Sequence, residues 1–272
     1  MKMLHALGRK VWFLGCPVIL MAAPAIHAMK AEGGITAVSA KVSGDYVRAT
    51  GPDGSPESES YAFGKGGYYA APIKDATIDD LTFMDIAQTL VAPLSSQNYT
   101  PAKDPEKTKL LIMVYWGETY GSMDMHYSNY AFVGDHGGPG QTVLGDAQSA
   151  RVDAQNASIL GYDDALNDFG WKGRRERPDL LDDLERGRYF VVLMAYDFQV
   201  LWREKKHKLL WETRFSVREQ GNDFTQALPA MAQYSSEYFG KDSHGLLRTF
   251  VPDGRIHVGN PSVVEFLTGS AY

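Results

Sequence analysis

The chain has 272 residues, with 27 Lys and Arg, 33 Asp and Glu, and one cysteine. Its hydrophobic fraction of 44% is too high for a disordered chain and large enough to form the core of a folded domain. A net charge of −6 argues against nucleic-acid binding, because neutralising phosphates requires a basic face. A single cysteine excludes a disulfide framework or a thiolate metal site within the chain.

The N-terminus has the layout of a secretory signal peptide. Basic residues precede an apolar run over residues 11–23, and small residues allow cleavage after Ala25 or Ala28. The run is too short to span a bilayer as a permanent helix, and no other stretch reaches about 18 apolar residues. We therefore expect residues 1–28 to be removed. Residues 29–272 should then form a single exported domain, periplasmic or secreted, without a transmembrane helix.

The segment Phe13-Leu14-Gly15-Cys16 supports a second interpretation of the N-terminus, because it is similar to a bacterial lipobox. In that case Cys16 would be lipidated and would anchor the mature protein to a membrane. Phenylalanine is a poor residue three positions before a lipidated cysteine, and the apolar stretch before Cys16 is short. Soluble export is therefore the main prediction, and lipidation of Cys16 is the alternative.

The first half of the domain predicts strands on either side of a helix. Residues 44–49 and 60–71 are strand candidates separated by a Gly-Pro-Asp-Gly turn, and together they predict a hairpin. Apolar residues at three-to-four spacing predict a helix over residues 75–96, which Pro93 should kink or end. Residues 110–116 are apolar without alternation, which is typical of a strand buried on both faces.

Residues 117–187 differ from the rest of the chain in composition. Gly, Asp, Asn and Gln dominate, with a weak helix expected over residues 146–160 and a charged stretch over residues 172–188. We interpret residues 117–187 as a loop-rich insertion with short helices. Insertions of this length often carry function.

The C-terminal third has the clearest periodicity. Residues 189–196 form an unbroken apolar run, and residues 209–217 alternate between apolar and polar side chains, so the two predict an antiparallel hairpin. Asp223 can cap an amphipathic helix that ends at Gly240. The tail adds two short strand candidates, residues 255–258 and 263–267.

The order of these elements predicts an α+β fold. We expect a mostly antiparallel sheet with two amphipathic helices packed on one face. The loop-rich insertion is added to this core.

Two segments carry a family resemblance. In residues 85–117, a helix stops at Gln97-Asn98-Tyr99, and a proline-containing connector leads into a buried strand. In residues 191–239, a strand ending in Tyr196-Asp197 is followed by Lys208-Leu209-Leu210-Trp211-Glu212 and a helix. This layout resembles a group of bacterial envelope lipoproteins and secreted proteins that contain a small α+β domain of unknown function. The resemblance implies an envelope location and a core of one sheet and two helices; it implies no catalytic residues.

The insertion contains the candidate metal site. Its possible ligands are Met123, Asp124, Met125, His126, Asp135 and His136. Thioethers and imidazoles suit the soft ion Cu(I), whereas carboxylates and imidazoles suit zinc. The alternative is a polar loop in which the methionines cover an apolar patch and the histidines face solvent.

Signatures of catalysis are weak. The chain has no Gly-x-Ser-x-Gly elbow, and a chain cleaved after Ala28 has no thiol. The pairs Asp163-Asp164 and Asp182-Asp183 could suggest a glycosidase, but adjacent acids near arginines more often form solvated charge networks. Tyrosines could instead form a surface for sugars or a partner protein. The tyrosines considered are Tyr61, Tyr68, Tyr69, Tyr120, Tyr127 and Tyr130.

These observations favour a non-catalytic, exported module of the cell envelope. Its insertion and sheet edge would bind another envelope protein or a glycan. The alternative is a periplasmic metal-binding protein or a metal-dependent enzyme that uses residues 123–136. The sequence identifies no cofactor.

Overall fold

The computed structural model describes residues 33–72, 74–121 and 139–252, all of which belong to one compact unit. Several predictions therefore fall outside the described residues. These are the signal peptide, Cys16, the tail strands and the six candidate metal ligands Met123, Asp124, Met125, His126, Asp135 and His136.

A mixed sheet organises the described chain. Its strands are β1 (Gly33–Val42), β2 (Glu59–Tyr69), β3 (Tyr99–Pro101), β4 (Leu110–Thr119), β5 (Arg188–Asp197), β6 (Leu209–Arg218) and β7 (Leu247–Pro252). They lie in the order β3-β2-β4-β5-β6-β1-β7. Strand β2 is parallel to β3 and β4, and the other four pairs are antiparallel. The predicted α+β fold with a mostly antiparallel sheet is confirmed.

The described chain also contains seven α-helices. They are α1 (Ala76–Asp79), α2 (Phe83–Ser96), α3 (Pro139–Leu160), α4 (Asp163–Leu166), α5 (Trp171–Leu184), α6 (Phe198–Glu204) and α7 (Phe224–Ser235). Short 3-10 turns span Pro105–Lys107 and Ser236–Tyr238. Helices α3 to α5 belong to the insertion. Within the described ranges, no helix is both long enough and apolar enough to cross a membrane.

The predicted helix over residues 75–96 is divided in two. Thr82 starts α2 with a capping box: its hydroxyl accepts a hydrogen bond from the N–H of Asp85, and the Asp85 carboxylate accepts one from the N–H of Thr82. This reciprocal cap satisfies donors that a continuous helix would have used, so α1 and α2 are separate. Pro93 lies inside α2 and does not end it.

Helices α2 and α7 cover one face of the sheet, which we call the apolar face. On β5 this face carries Tyr189, Val191 and Leu193, which belong to the same buried cluster as Leu90 of α2 and Met231 of α7. Asp223 caps α7 as predicted, because its carboxylate accepts a hydrogen bond of 3.1 Å from the N–H of Gln226. Two amphipathic helices on one face of the sheet are therefore confirmed.

The insertion covers the opposite face of the sheet, which we call the insertion face. Its buried hydrophobic cluster comprises Ala37, Ala157, Leu160, Tyr162, Leu180, Leu184, Phe190 and Val192. The described part of the insertion contains helices α3, α4 and α5, and the helix expected over residues 146–160 lies within α3.

The predicted N-terminal hairpin is wrong. Residues 46–49 form no strand, and β2 pairs in parallel with β3 and β4. Instead, Tyr46 and Arg48 fold back over the sheet: the Tyr46 hydroxyl donates a 2.7 Å hydrogen bond to Glu59, and the Arg48 guanidinium lies 4.0 Å from the centroid of the Tyr99 ring.

The expectation of a strand buried on both faces fits β5 better than β4. On β4, Ile112 and Val114 are fully buried, whereas Met113 on the other face is partly exposed. On β5, every residue from Arg188 to Leu193 is buried. Strand β5 is therefore the central strand, with helices on both sides.

Candidate functional site

The sequence-predicted sites have different outcomes in the structure. Among the described residues, no three His, Cys, Asp or Glu side chains come together in a way that could hold a metal ion. The predicted tyrosine surface does not form as a unit. Tyr61 is buried in the core and Tyr68 stacks on Trp116, whereas Tyr69 is about half exposed. Tyr127 and Tyr130 lie outside the described residues.

The carboxylate of Asp183 is the centre of a buried charge network. It lies 3.1 Å from Nη1 of Arg188, 2.9 Å from Nη2 of Arg218 and 2.8 Å from Nη2 of Arg248. The hydroxyl of Tyr162 donates a further 3.2 Å hydrogen bond to it. Asp183 belongs to α5 and the three arginines belong to β5, β6 and β7, so the network fixes the C-terminal end of α5 to the sheet.

Arg188 is fully buried, and polar groups of the sheet surround its guanidinium. Its Nε donates to the hydroxyl of Ser216, and its Nη2 donates to the carbonyls of Ile35 and Ser216, each at 3.1 Å. A buried charge is tolerated only when it is paired and hydrogen-bonded, and these contacts meet that condition. Asp182 extends the network to Arg186. The pair Asp182-Asp183 thus holds the insertion in place, and the carboxylate of Asp183 is engaged by arginines.

The polar side of β6 also contacts the insertion. Nη1 of Arg214 donates to the carbonyls of Ser158 and Ile159, at 2.9 and 3.1 Å, in the last turn of α3. Glu212 holds the same guanidinium at 3.1 Å. A cation at a helix C-terminus satisfies free carbonyls and interacts favourably with the helix dipole. The charged side chains of β6 therefore attach α3 of the insertion to the sheet.

Helix α1 lies beside a cluster of acidic residues and tyrosines. The carboxylate of Asp75 caps α1 by accepting a 2.8 Å hydrogen bond from the N–H of Thr77, and it also accepts one from the hydroxyl of Tyr189. The hydroxyl of Tyr68 donates to the carboxylate of Asp79. This single helical turn is thereby joined to β2 and β5.

Glu118 and Glu219 form a hydrogen-bonded carboxyl pair next to α1. Burial raises the pKa of Glu118 to about 8, and the hydrogen bond with Glu219 and the negative charges of Asp75 and Asp79 act in the same direction. This environment therefore favours the protonated form of the Glu118 carboxyl. Such a group can act as an acid or a base, but structural carboxyl pairs show the same behaviour, so we assign no reaction to it.

The structure reveals a surface feature that sequence reasoning missed, which we call the insertion tip (residues 167–177). Phe169 and Trp171, which lie where α4 leads into α5, are 71% and 76% exposed. Most other large apolar side chains of the described chain are far more buried. The only sequence signal was two aromatics close together in a polar, charged stretch.

Hydrogen bonds within the insertion tip hold its turn in a defined shape. The N–H of Gly170 donates to the Asp168 carboxylate at 2.8 Å, and Nε of Arg174 donates to the carbonyl of Phe169 at 3.0 Å. The N–H of Arg174 donates to the carbonyl of Gly170. Gly173 allows the chain to double back, because a Cβ there would lie 2.1 Å from the carbonyl oxygen of Asp168. The aromatic side chains are therefore displayed by a preformed turn.

Four basic residues lie close in sequence to the exposed aromatics of the insertion tip. Its basic residues are Lys172, Arg174, Arg175 and Arg177, all exposed. The guanidinium of Arg175 lies 5.6 Å from the centroid of the Trp171 ring, and Arg177 donates a hydrogen bond to the carbonyl of Leu166. The tip therefore combines two exposed aromatic side chains with four exposed basic side chains.

A second exposed apolar pair lies where β1 meets β7. Ile35 and Phe250 are cross-strand partners and are 42% and 58% exposed. In the described sheet β7 is an end strand, so this pair lies at the sheet edge.

Comparison with known proteins adds little to this geometry. No protein-family model matches the chain, and no curated protein matches it. Among solved structures, the chain is similar to a PDZ domain protein from Parabacteroides distasonis, with 10% sequence identity and a TM-score of 0.38. The match covers 81% of this chain and 40% of the other, so it spans about two fifths of that protein's length. A likeness at this level supports no conclusion about function.

Proposed function

We propose that the chain is a non-catalytic, exported binding module of the cell envelope and that its insertion contacts another envelope component. The observation that carries the proposal is the insertion tip, where Phe169 and Trp171 are exposed on a preformed turn. Exposed aromatics that add nothing to the core are typical of contact surfaces. The expected signal peptide in residues 1–28 supports the export part of the proposal.

The attachment of α5 to the sheet also supports a role in presenting the aromatic side chains of the tip to a partner. Helix α5 has 14 residues, which corresponds to about 21 Å. Its C-terminal end is fixed to three strands through Asp183, and its N-terminal end carries Trp171. Fixing the C-terminal end of α5 to the sheet reduces the ordering needed on binding, and so increases affinity for a partner.

Photo-crosslinking in cells tests this function. A photoreactive amino acid is placed at position 169 of the full chain, and a control carries it at position 47, where Val47 is 87% exposed but lies far from the insertion in sequence. We expect the chain in the envelope fraction and a reproducible adduct from position 169 that position 47 does not give. A cytoplasmic chain, or identical adducts from both positions, would refute the proposal.

The same fractionation addresses the N-terminus. If export is soluble, Cys16→Ser leaves the distribution of the protein between membrane and soluble fractions unchanged. A shift of this variant from the membrane to the soluble fraction would instead establish the lipid anchor.

A further inference from the structure

We propose that the insertion tip binds an anionic membrane surface, with Phe169 and Trp171 entering the interfacial region and the neighbouring cations contacting phospholipid headgroups. The proposal rests on the function proposed above, because it names the component that the insertion contacts. Three features of the tip carry it: the identity of its apolar residues, their exposure on a hydrogen-bonded turn and the sign of its charge.

The apolar part of the tip suits the boundary between headgroups and acyl chains. Tryptophan is enriched at this boundary, because its ring is apolar while its N–H keeps a polar contact. Phe169 and Trp171 are largely exposed on a turn that is held by its own hydrogen bonds. Exposed aromatic side chains on such a turn can enter a soft surface, whereas sugars and other small ligands are normally held in concave pockets.

The charge of the tip is opposite to that of the whole chain. The insertion tip has four basic residues and two acids, Asp168 and Glu176, whereas the complete chain has a net charge of −6. The Asp168 carboxylate accepts a hydrogen bond from the N–H of Gly170. This asymmetry orients the molecule with its tip towards an anionic surface.

The cations and the aromatics are arranged to act together. The Arg175 guanidinium lies near the Trp171 ring, so a charge remains at headgroup level when the indole is inserted. Lys172 and Arg175 have long aliphatic stems that can lie along the interface while their charged ends stay hydrated. Because hydrogen bonds already fix the turn, membrane contact requires no folding of the tip.

Co-sedimentation with lipid vesicles tests the proposal on the full chain. Wild type and variants are mixed with vesicles of phosphatidylglycerol and phosphatidylcholine, or of phosphatidylcholine alone. All proteins share the same N-terminal apolar segment, so differences between them report on the substituted residues. The variants are Phe169→Ser/Trp171→Ser for the aromatics and Lys172→Gln/Arg175→Gln for the cations. The matched controls are Val47→Ser and Lys65→Gln/Lys103→Gln, all at exposed positions.

We expect the aromatic variant to bind anionic vesicles about tenfold more weakly than wild type. The cation variant should lose about fivefold for each cation removed on anionic vesicles and should be unchanged on neutral ones. Both controls should bind like wild type. Thermal unfolding of each variant confirms that the fold is intact, which is expected because the substituted side chains are exposed.

Two results would overturn the membrane proposal. One is wild-type binding to anionic vesicles that is no stronger than that of the tip variants. The other is retention on double-stranded DNA that the cation variant loses, without any vesicle binding. If vesicles fail while position 169 crosslinks to an envelope protein, the binding-module function stands and the membrane proposal alone is refuted. If neither vesicles nor crosslinks detect a contact, both proposals are refuted.

Discussion

The two faces of the sheet are held in different ways. Among the described residues, the cluster on the apolar face has 27 buried hydrophobic residues, including those of α2 and α7, whereas the cluster on the insertion face has only eight. The insertion face adds the arginine network around Asp183 and the cap that Arg214 places on α3. Apolar burial is non-directional, whereas charged hydrogen bonds fix geometry.

This difference has a consequence for the insertion. A helix held by apolar contacts alone can rotate or slide until its contacts fit, but the buried carboxylate of Asp183 must meet three guanidinium groups from separate strands. The network therefore sets where α5 points, and with it the position of Trp171 at the other end. An element that presents side chains to a partner requires such a fixed orientation.

Removing the central charge gives the largest expected effect. Asp183→Asn leaves three arginines facing a neutral amide, so the free energy of unfolding should fall by about 3–5 kcal/mol. Asp182→Asn is the matched control, and because that side chain is 43% exposed we expect about 1 kcal/mol or less. Urea unfolding measures both. Equal losses from the two variants would contradict the central role of Asp183.

Truncation of buried leucines compares the two faces directly. Leu90→Ala on the apolar face should lower the free energy of unfolding by about 2–4 kcal/mol and loosen the whole sheet. Leu180→Ala on the insertion face should speed amide hydrogen exchange mainly in α5 and leave α2 protected.

The control for both leucines is Met84→Ala, because Met84 is 48% exposed on α2, and its effect should stay within about 0.5 kcal/mol. Exchange that rises equally in α2 and α5 after Leu180→Ala would show that the insertion does not open separately.

Sequence periodicity predicted the apolar face and missed the insertion face, for physical reasons. Helix α7 and strand β6 have regular apolar spacing, because each buries one face in the core, and β5 is an unbroken apolar run, because it is buried on both faces. Sequence reasoning missed strand β1 because it consists largely of small and polar residues. It missed β7 because this strand has only six residues, without a regular apolar alternation, and ends at Pro252.

Helix α5 was interpreted as a charged stretch, because its buried stripe includes Gly173 and Asp183 as well as leucines. The partners of Asp183 lie on three strands, two of them far away in sequence. No local pattern can show that a carboxylate is buried among them. The exposure of Phe169 and Trp171 is likewise a tertiary property, since a loop aromatic is as often folded inwards.

A change of pH should alter the stability of the protein through Glu118, which belongs to the acidic cluster beside α1. The pKa of Glu118 in the folded protein is about 8, above the 4.5 of an ordinary glutamate. Folding therefore favours its protonated form, so stability that is present below pH 4.5 is lost as the pH rises through about 8.

Glu118→Gln removes this titration. At alkaline pH the variant should be more stable than wild type by about 1–2 kcal/mol, allowing for solvent screening of a half-exposed pair, and the difference should vanish at acid pH. Glu106→Gln, at an exposed position, should follow wild type throughout. Thermal unfolding across the pH range measures this, and a wild type that gains stability relative to Glu118→Gln as pH rises would contradict the assignment.

The smallest expected effect comes from an ion pair at the rim of the insertion face. Lys41 of β1 and Asp164 of α4 lie 2.7 Å apart, but their side chains are 54% and 67% exposed. Water screens this pair, so the coupling between Lys41→Met and Asp164→Asn in a double-mutant cycle should be about 0.5 kcal/mol or less and should disappear in high salt.

The matched cycle at the centre, Arg218→Met with Asp183→Asn, should give a clearly larger coupling that salt changes little, because Asp183 is fully buried. Both pairs join the insertion to the sheet, so they differ mainly in burial. Comparable couplings at the rim and at the centre would mean that many weak contacts hold the insertion, and the orientation of α5 would then not depend on Asp183.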